Sequence, residues 1–217
     1  MSNRTQTAPV SPGRFRTRVG EANAGRILDA ALSVFARLGF AGARVDQIAD
    51  AAGMSKANLL YYFRTKEQLY LAVLRRTLDM WLEPLRELDA ERDPEAALGH
   101  YIACKLDYSR FHPEASRLFA MEIMQGAPML SQVLATDLAE LVAAKVTTIE
   151  RWIADGRLAP VDPHHLIFTI WATTQHYADF AAQIRTLTGK DLSDKDFLEQ
   201  TKHAVVGMVL RGVMPRA

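Results

Sequence analysis

Between residues 55 and 66 the chain reads SKANLLYYFRTK, a dense set of side chains suited to meeting an anionic polymer. An ammonium such as that of Lys56 meets a phosphate. The amide of Asn58 matches the paired donor and acceptor of a base edge, and the hydroxyls of Tyr61 and Tyr62 can serve either. At helical spacing Leu59 and Phe63 share one face, and Lys56, Ala57, Leu60 and Tyr61 project from the other, with Asn58 and Tyr62 flanking. This reading assigns Lys56 and Tyr62 mainly to phosphates, and Ala57, Asn58, Leu60 and Tyr61 to base edges or their margins. Lys66, with the backbone amides of the helix it opens, is a further phosphate contact. The competing reading is an αα-hairpin inside an ordinary helical protein.

A second group lies far along the chain in W-A-T-T-Q, residues 171 to 175. Trp171 and Gln175 are four apart, hence one turn from each other on one helix face, with Thr174 beside them. Trp81 is another large flat surface. A glutamine amide presents a donor and an acceptor side by side, matching the N–H and C=O of a cyclic imide or nucleobase edge. Indole faces stack on flat rings, at roughly 1–3 kcal/mol per base in related cases. Equally compatible with the spacing is a core in which both tryptophans only pack and Gln175 bonds the backbone.

The elements that carry the first group are short. Val45, Ile48, Ala49 and Ala52 make a narrow apolar stripe, and Gly53 suits the left-handed position that ends a helix. Ser55 supplies an N-cap oxygen for the following helix. Two helices of this length bury too little alone, so Ile27, Ala31, Val34, Phe35 and Leu38 are expected to cover them, with Gly39 ending that helix. Thr65 caps the next helix, with Gln68 at the reciprocal capping-box position. A compact helix-turn-helix of this kind sets its second helix in the major groove.

Five sub-motifs at fixed spacing, G-F at 39–40, V-x-x-I-A at 45–49, A-G-M-S at 52–55, L-L-Y-Y-F at 59–63 and K-E-x-L at 66–69, resemble the DNA-binding domain of TetR-family transcriptional regulators. The resemblance implies DNA contacts at Arg44, Ser55, Lys56, Ala57, Asn58, Leu60, Tyr61, Tyr62 and Lys66. Two positions depart from the family pattern. Ala43 stands where a phosphate-contacting Thr is frequent, with Arg44 next to it as a substitute, and Leu60 stands where many members have Tyr. Leu60 can meet only an apolar group such as a thymine methyl.

Length and charge fit this division. The 217 residues are 49% hydrophobic, which argues for a folded globule. Residues 1–76 hold 12 Lys or Arg against 5 Asp or Glu, a balance of +7, whereas 77–217 hold 14 against 20, a balance of −6, which together give the net +1. Basic character is thus confined to the part that would meet phosphates. Apolar runs are too short for a membrane span or a signal peptide, and the single Cys104 allows no internal disulfide, so a cytoplasmic location is expected. Cys104 reads as a small packing residue.

The expected fold is all-α, about nine helices and no sheet, in three parts. Residues 1–20 form a disordered basic arm suited to the minor groove or merely solvated, 21–75 the helix-turn-helix domain, and 76–217 a larger ligand-binding and dimerisation domain. In the last part a helix runs from Lys66 toward Leu82 and is expected to kink or end at Pro84. Others cover 97–111, the stretch after Pro113, 129–154, 163–184, and 194–210 with Ser193 and Asp196 as its cap. Within the TetR family the last two long helices imply a four-helix bundle with a second subunit, and a dimer also suits symmetric half-sites.

Longer stretches, among them M-W-L-E-P-L, E-A-S-R-L-F-A-M-E-I-M-Q-G-A-P, L-A-P-V-D-P-H-H-L-I-F and I-W-A-T-T-Q-H-Y-A-D-F, are similar to the pyrimidine-utilisation regulators of that family. That similarity implies a homodimeric regulator, mainly a repressor, released from operator DNA by uracil and to some extent thymine. It makes Trp81, Trp171 and Gln175 the leading ligand contacts, with Phe119, Thr174 and Tyr177 as weaker ones. No catalytic residue, cofactor or metal is expected: adjacent His164 and His165 point to different sides of a helix, and no phosphate loop or nucleophile elbow is present. His176 reads as a hydrogen-bonded core or interface residue. A TetR-type regulator answering to another planar or hydrophobic ligand, and a DNA-binding protein without effector, are the alternatives.

Overall fold

The computed structural model describes residues 18–215. The chain divides into two compact units, Met1–Val73 and Leu74–Ala217, a boundary two residues before the expected one. Among the described residues every regular element is helical.

The first unit opens with α1 (Arg18–Gly42), so residues 18–20, expected in the arm, are helical; the rest of the arm lies outside the described residues. Its stripe of Ile27, Ala31, Val34 and Phe35 is buried as the spacing predicts. Leu38 is not part of it: the side chain is exposed, because Gly39 breaks the helix one residue later at φ 68° and Phe40 takes over the packing. Phe40 reaches the rings of Phe35 and Tyr70, and the Phe35–Tyr70 pair meets edge to face at 4.9 Å. Helices α2 (Val45–Ala51) and α3 (Lys56–Tyr62) are joined through Gly53 at φ 66°, where any side chain would be strained. Ile48, Ala49, Leu59 and Phe63 close the core from both sides of that turn. At the start of α4 (Lys66–Arg86) the Thr65 hydroxyl accepts the Gln68 N–H at 3.1 Å, the expected cap.

Helix α4 passes through Pro84 rather than stopping there. Leu82 and Leu85 on either side of the proline are both buried, so packing holds the last turn although one backbone donor is missing. In the second unit Asp93 caps α5 (Pro94–Phe111), which starts a turn earlier than apolar periodicity alone suggested. Helix α6 (Pro113–Met124) follows. The stretch expected as one helix over 129–154 is α7 (Ser131–Val133), a π-helical turn at Leu134–Leu138, and α8 (Ala139–Ala154).

The helix expected over 163–184 is two. Helix α9 (Pro163–Asp179) and α10 (Ala181–Thr188) meet at Phe180, whose φ of −113° and ψ of 27° leave the helical basin. The cap of α11 (Lys195–Val213) is Asp194, which accepts the Phe197 N–H at 2.8 Å, while the Ser193 hydroxyl donates to Asp191; the expected Ser193–Asp196 box is not formed. Helix α5 is the centre of the second unit. It packs on α9 and α11, and α6 packs on α9. Fully buried Leu98, Tyr101, Ile102 and Leu106 make its core face.

Candidate nucleic-acid interface and effector site

Helix α3 has the two faces that its sequence implies. Leu59 and Phe63 are buried, Lys56, Ala57, Asn58 and Tyr61 are exposed, and Leu60 is half-buried. The Ser55 hydroxyl accepts the Asn58 N–H at 3.2 Å, so this serine fixes the N-terminus of the helix that would enter a groove. Lys56 pairs with Asp46 of α2 at 3.1 Å across an open surface. An ion pair so exposed is weak and can yield to a phosphate. Arg44 is exposed beside it at the N-cap of α2. Ala43 is buried, so its side chain faces the core and not solvent.

Two expected DNA contacts have hydrogen-bond partners within the chain. The Tyr62 side chain is 8% exposed, and its hydroxyl accepts from Asn23 Nδ2 at 3.0 Å, which ties α3 to α1. Its ring serves as an edge-on support for the exposed ring of Tyr61, 5.4 Å away. Residue 62 lies three positions from Leu59, and that spacing brings it to the buried side. Lys66 donates to the carbonyl oxygens of Phe40 at 2.8 Å and Ala43 at 3.1 Å, with its ammonium 4.4 Å from the centre of the Phe40 ring. It satisfies carbonyls freed by the break at Gly39, which positions the start of α4 against the end of α1.

In the second unit α5 meets three of the six predicted ligand residues. Trp171 donates its indole N–H to the Tyr101 hydroxyl at 2.6 Å. One turn further on the same helix, Lys105 places its ammonium 3.6 Å from the centre of the Trp81 ring. Another turn on, the Ser109 hydroxyl donates to the Thr174 carbonyl at 2.9 Å. Tyr101, Lys105 and Ser109 thus form one ladder on α5 that meets Trp81 and the 171–174 turn of α9. Gln175, half-buried, has no hydrogen-bond partner among the described residues.

Here too the expectations need revision. Thr174 is fully buried, but its hydroxyl donates to the Ile170 carbonyl at 2.7 Å and is engaged by its own helix. One face of Trp81 is covered by Lys105, and its buried indole N–H has no partner among the described residues. Phe119 is half-buried on α6 and Tyr177 half-buried on α9, where its ring meets Phe197; neither has a described ring contact or hydrogen bond with Trp81, Trp171 or Gln175. His176 is exposed and stacked on Phe180 at 4.9 Å, outside the core.

Sequence reasoning missed Lys105 and Tyr101. The signal was present, because Lys105 stands four residues after Tyr101, three after Ile102 and next to Leu106, inside an apolar stripe. Burial pushes the Lys105 ammonium well below its usual pKa, and the charge of Asp179 opposes that shift. Burial likewise pushes the Asp179 carboxyl up, against the Ser116 hydroxyl that donates to it at 2.6 Å and against Lys105. Tyr101 is pushed far above the usual phenol range, mainly by burial. Cys104 is partly exposed with its Sγ 3.4 Å from His100, and its thiol pKa is raised, first by burial, so it is no thiolate nucleophile. Among the described residues no group of three His, Cys, Asp or Glu side chains is placed to hold a metal ion.

Comparison with known proteins bears on both regions. Residues 27–73 match the model of the bacterial regulatory proteins of the tetR family, and residues 74–216 match the C-terminal region of YcdC-like proteins. The chain belongs to the TetR family. It is 50% identical over 212 residues to the HTH-type transcriptional regulator RutR of Escherichia coli strain K12, a match covering 98% of this chain and 100% of that one. The HTH-type transcriptional repressor NicS of Pseudomonas putida is 29% identical over 86% of this chain and 90% of its own length. Among solved structures, the transcriptional regulator SCO4942 of Streptomyces coelicolor superposes with a TM-score of 0.68 at 28% identity, over 90% of this chain and 99% of that one. This TetR-family chain is a RutR-like transcriptional regulator, and the family's activity is regulation, not catalysis. No helix among the described residues is long and apolar enough to cross a membrane.

Proposed function

We propose that the chain is a dimeric cytoplasmic regulator, mainly a repressor, of pyrimidine-utilisation genes, and that uracil, with thymine as a weaker effector, releases it from operator DNA. The observation that carries the effector half is the unpartnered amide of Gln175, one helical turn from Trp171 in an otherwise apolar unit. A half-buried amide with no partner in the chain is available to a ligand, and a planar imide presents a matching donor and acceptor together. No cofactor is required.

The DNA half rests on the exposed Lys56, Ala57, Asn58 and Tyr61 above a buried Leu59–Phe63 face, with Arg44 alongside. A second copy of the chain is supported by Phe168, Phe180, Leu187 and Met208, large apolar side chains that one chain leaves 49%, 52%, 76% and 59% exposed on α9, α10 and α11. Two recognition helices then read two half-sites.

Release is a population shift: the effector binds better to the dimer geometry that misplaces the recognition helices. Helix α4 is continuous from Lys66 in the DNA-binding unit to Arg86, past Trp81, so an effector held near Trp81 acts on the helix that leaves that unit. A coupling of about 1–3 kcal/mol is typical. Gln175→Leu is expected to abolish release by uracil while operator affinity in its absence stays at the wild-type value. Fluorescence anisotropy of labelled operator DNA reads both, and release at the wild-type uracil concentration would place the pocket elsewhere.

A further inference from the structure

Lys105 is 2% exposed on the core face of α5, and no hydrogen bond from its side chain is found among the described residues. What it meets is the face of Trp81 and, at longer range, the charge of Asp179. Asp179 is held by the Ser116 hydroxyl and also faces Arg117 and His176, so it is not a dedicated partner. Beside Lys105, the Trp81 indole N–H is the one fully enclosed side-chain donor without a hydrogen-bond partner among the described residues. Two strong donors without acceptors, side by side in an apolar interior, are unfavourable unless something else supplies the acceptors.

Neighbouring groups on the ladder are satisfied. The Trp171 N–H goes to Tyr101, the Ser109 hydroxyl to the Thr174 carbonyl, and the Thr174 hydroxyl to Ile170. On the ladder the unmet donors are therefore Lys105 and Trp81, one turn from the Tyr101–Trp171 contact, in addition to the half-buried amide of Gln175. An indole N–H projects in the ring plane, whereas Lys105 Nζ sits above the ring, so the two donors diverge. One oxygen does not serve both; two oxygens on one flat ligand do.

We propose that Lys105 Nζ and Trp81 Nε1–H are a pair of donors that bind the two ring oxygens of a planar dicarbonyl effector, with Trp81 acting through its N–H and not through a stacking face. The inference rests on the effector reading given above and makes the site selective for rings with two carbonyl groups. A ring with one carbonyl leaves one buried donor unpaired.

The test is calorimetric titration of the full-length wild type, Lys105→Met and Trp81→Phe with uracil and its two single-carbonyl analogues, pyrimidin-2-one and pyrimidin-4-one. Circular dichroism and operator affinity are read on the same samples. Wild type is expected to prefer uracil over each analogue by roughly ten- to a hundredfold, the effect of one hydrogen bond involving a charged or buried group. Lys105→Met is expected to lose that preference against one analogue and Trp81→Phe against the other, with operator affinity retained. Uracil affinity and selectivity unchanged in both folded variants overturn the donor pair while leaving the uracil reading intact. A wild type that ignores uracil overturns both. Should one variant fail to fold, the other still decides whether removing a donor erases selectivity.

Discussion

The candidate recognition helix and the candidate effector site are built on opposite principles. In α3 the functional side chains are exposed and short-range structure positions them: a serine cap, a glycine turn and two buried anchors one turn apart. Around Trp81 and Trp171 the candidate groups are buried or half-buried, and partners sixty to seventy residues away position them, as in Trp171–Tyr101 and Ser109–Thr174. A surface that meets DNA keeps its polar groups in water until contact, so their cost is small. A pocket that meets a small molecule holds polar groups in an apolar interior, and each one left without a partner is a cost that only the ligand removes. Unpaired burial therefore marks function in the second region and would mark misfolding in the first.

Variants can break or sharpen that contrast. The largest effect is expected at Leu59, a fully buried anchor under the recognition face: Leu59→Ala should cost about 2–5 kcal/mol of stability in chemical denaturation and remove operator binding with it. Next is Ser55→Ala, which removes the oxygen that accepts the Asn58 N–H and should cost roughly 1 kcal/mol, read in the same denaturation curves. Lys56→Ala should leave stability almost unchanged, because its pair with Asp46 is exposed. It should instead weaken binding to all DNA sequences alike and lower the salt slope of operator binding by about one; an unchanged slope with altered base preference would reassign it to base readout. The smallest effect is expected at Thr174→Val. The hydroxyl is engaged by its own helix, so titration calorimetry should find uracil affinity at the wild-type value, and a large loss would restore Thr174 as a ligand contact.

The same contrast explains what could be read from the chain alone. Gly39, Gly53, Ser55 and Thr65 act locally, and each stands where its residue type demands. Failures occurred where a distant group decides the outcome. Tyr62 was placed among the DNA contacts because nothing local announces Asn23, thirty-nine residues earlier, as the partner of its hydroxyl. Lys66 was placed there because its carbonyl partners belong to the broken end of α1. Pro84 reads as a kink or an end of α4; the helix does not end there, because burial of Leu82 and Leu85 outweighs the lost backbone bond. In the candidate effector site, Trp81, Trp171 and Gln175 stand out as large or polar groups among apolar ones; Lys105 is marked by its place in an apolar stripe, but its partner Trp81 follows only from the fold.

We propose that one molecule couples a DNA-reading helix to a site for a planar pyrimidine. The most direct measurement is a titration of uracil into the preformed complex of the full-length protein with operator DNA, followed by anisotropy. Dose-dependent release by uracil, at concentrations matching its calorimetric affinity for the free protein, is the predicted result. A complex that persists at saturating uracil, or a protein that never binds duplex DNA at low salt, would contradict it.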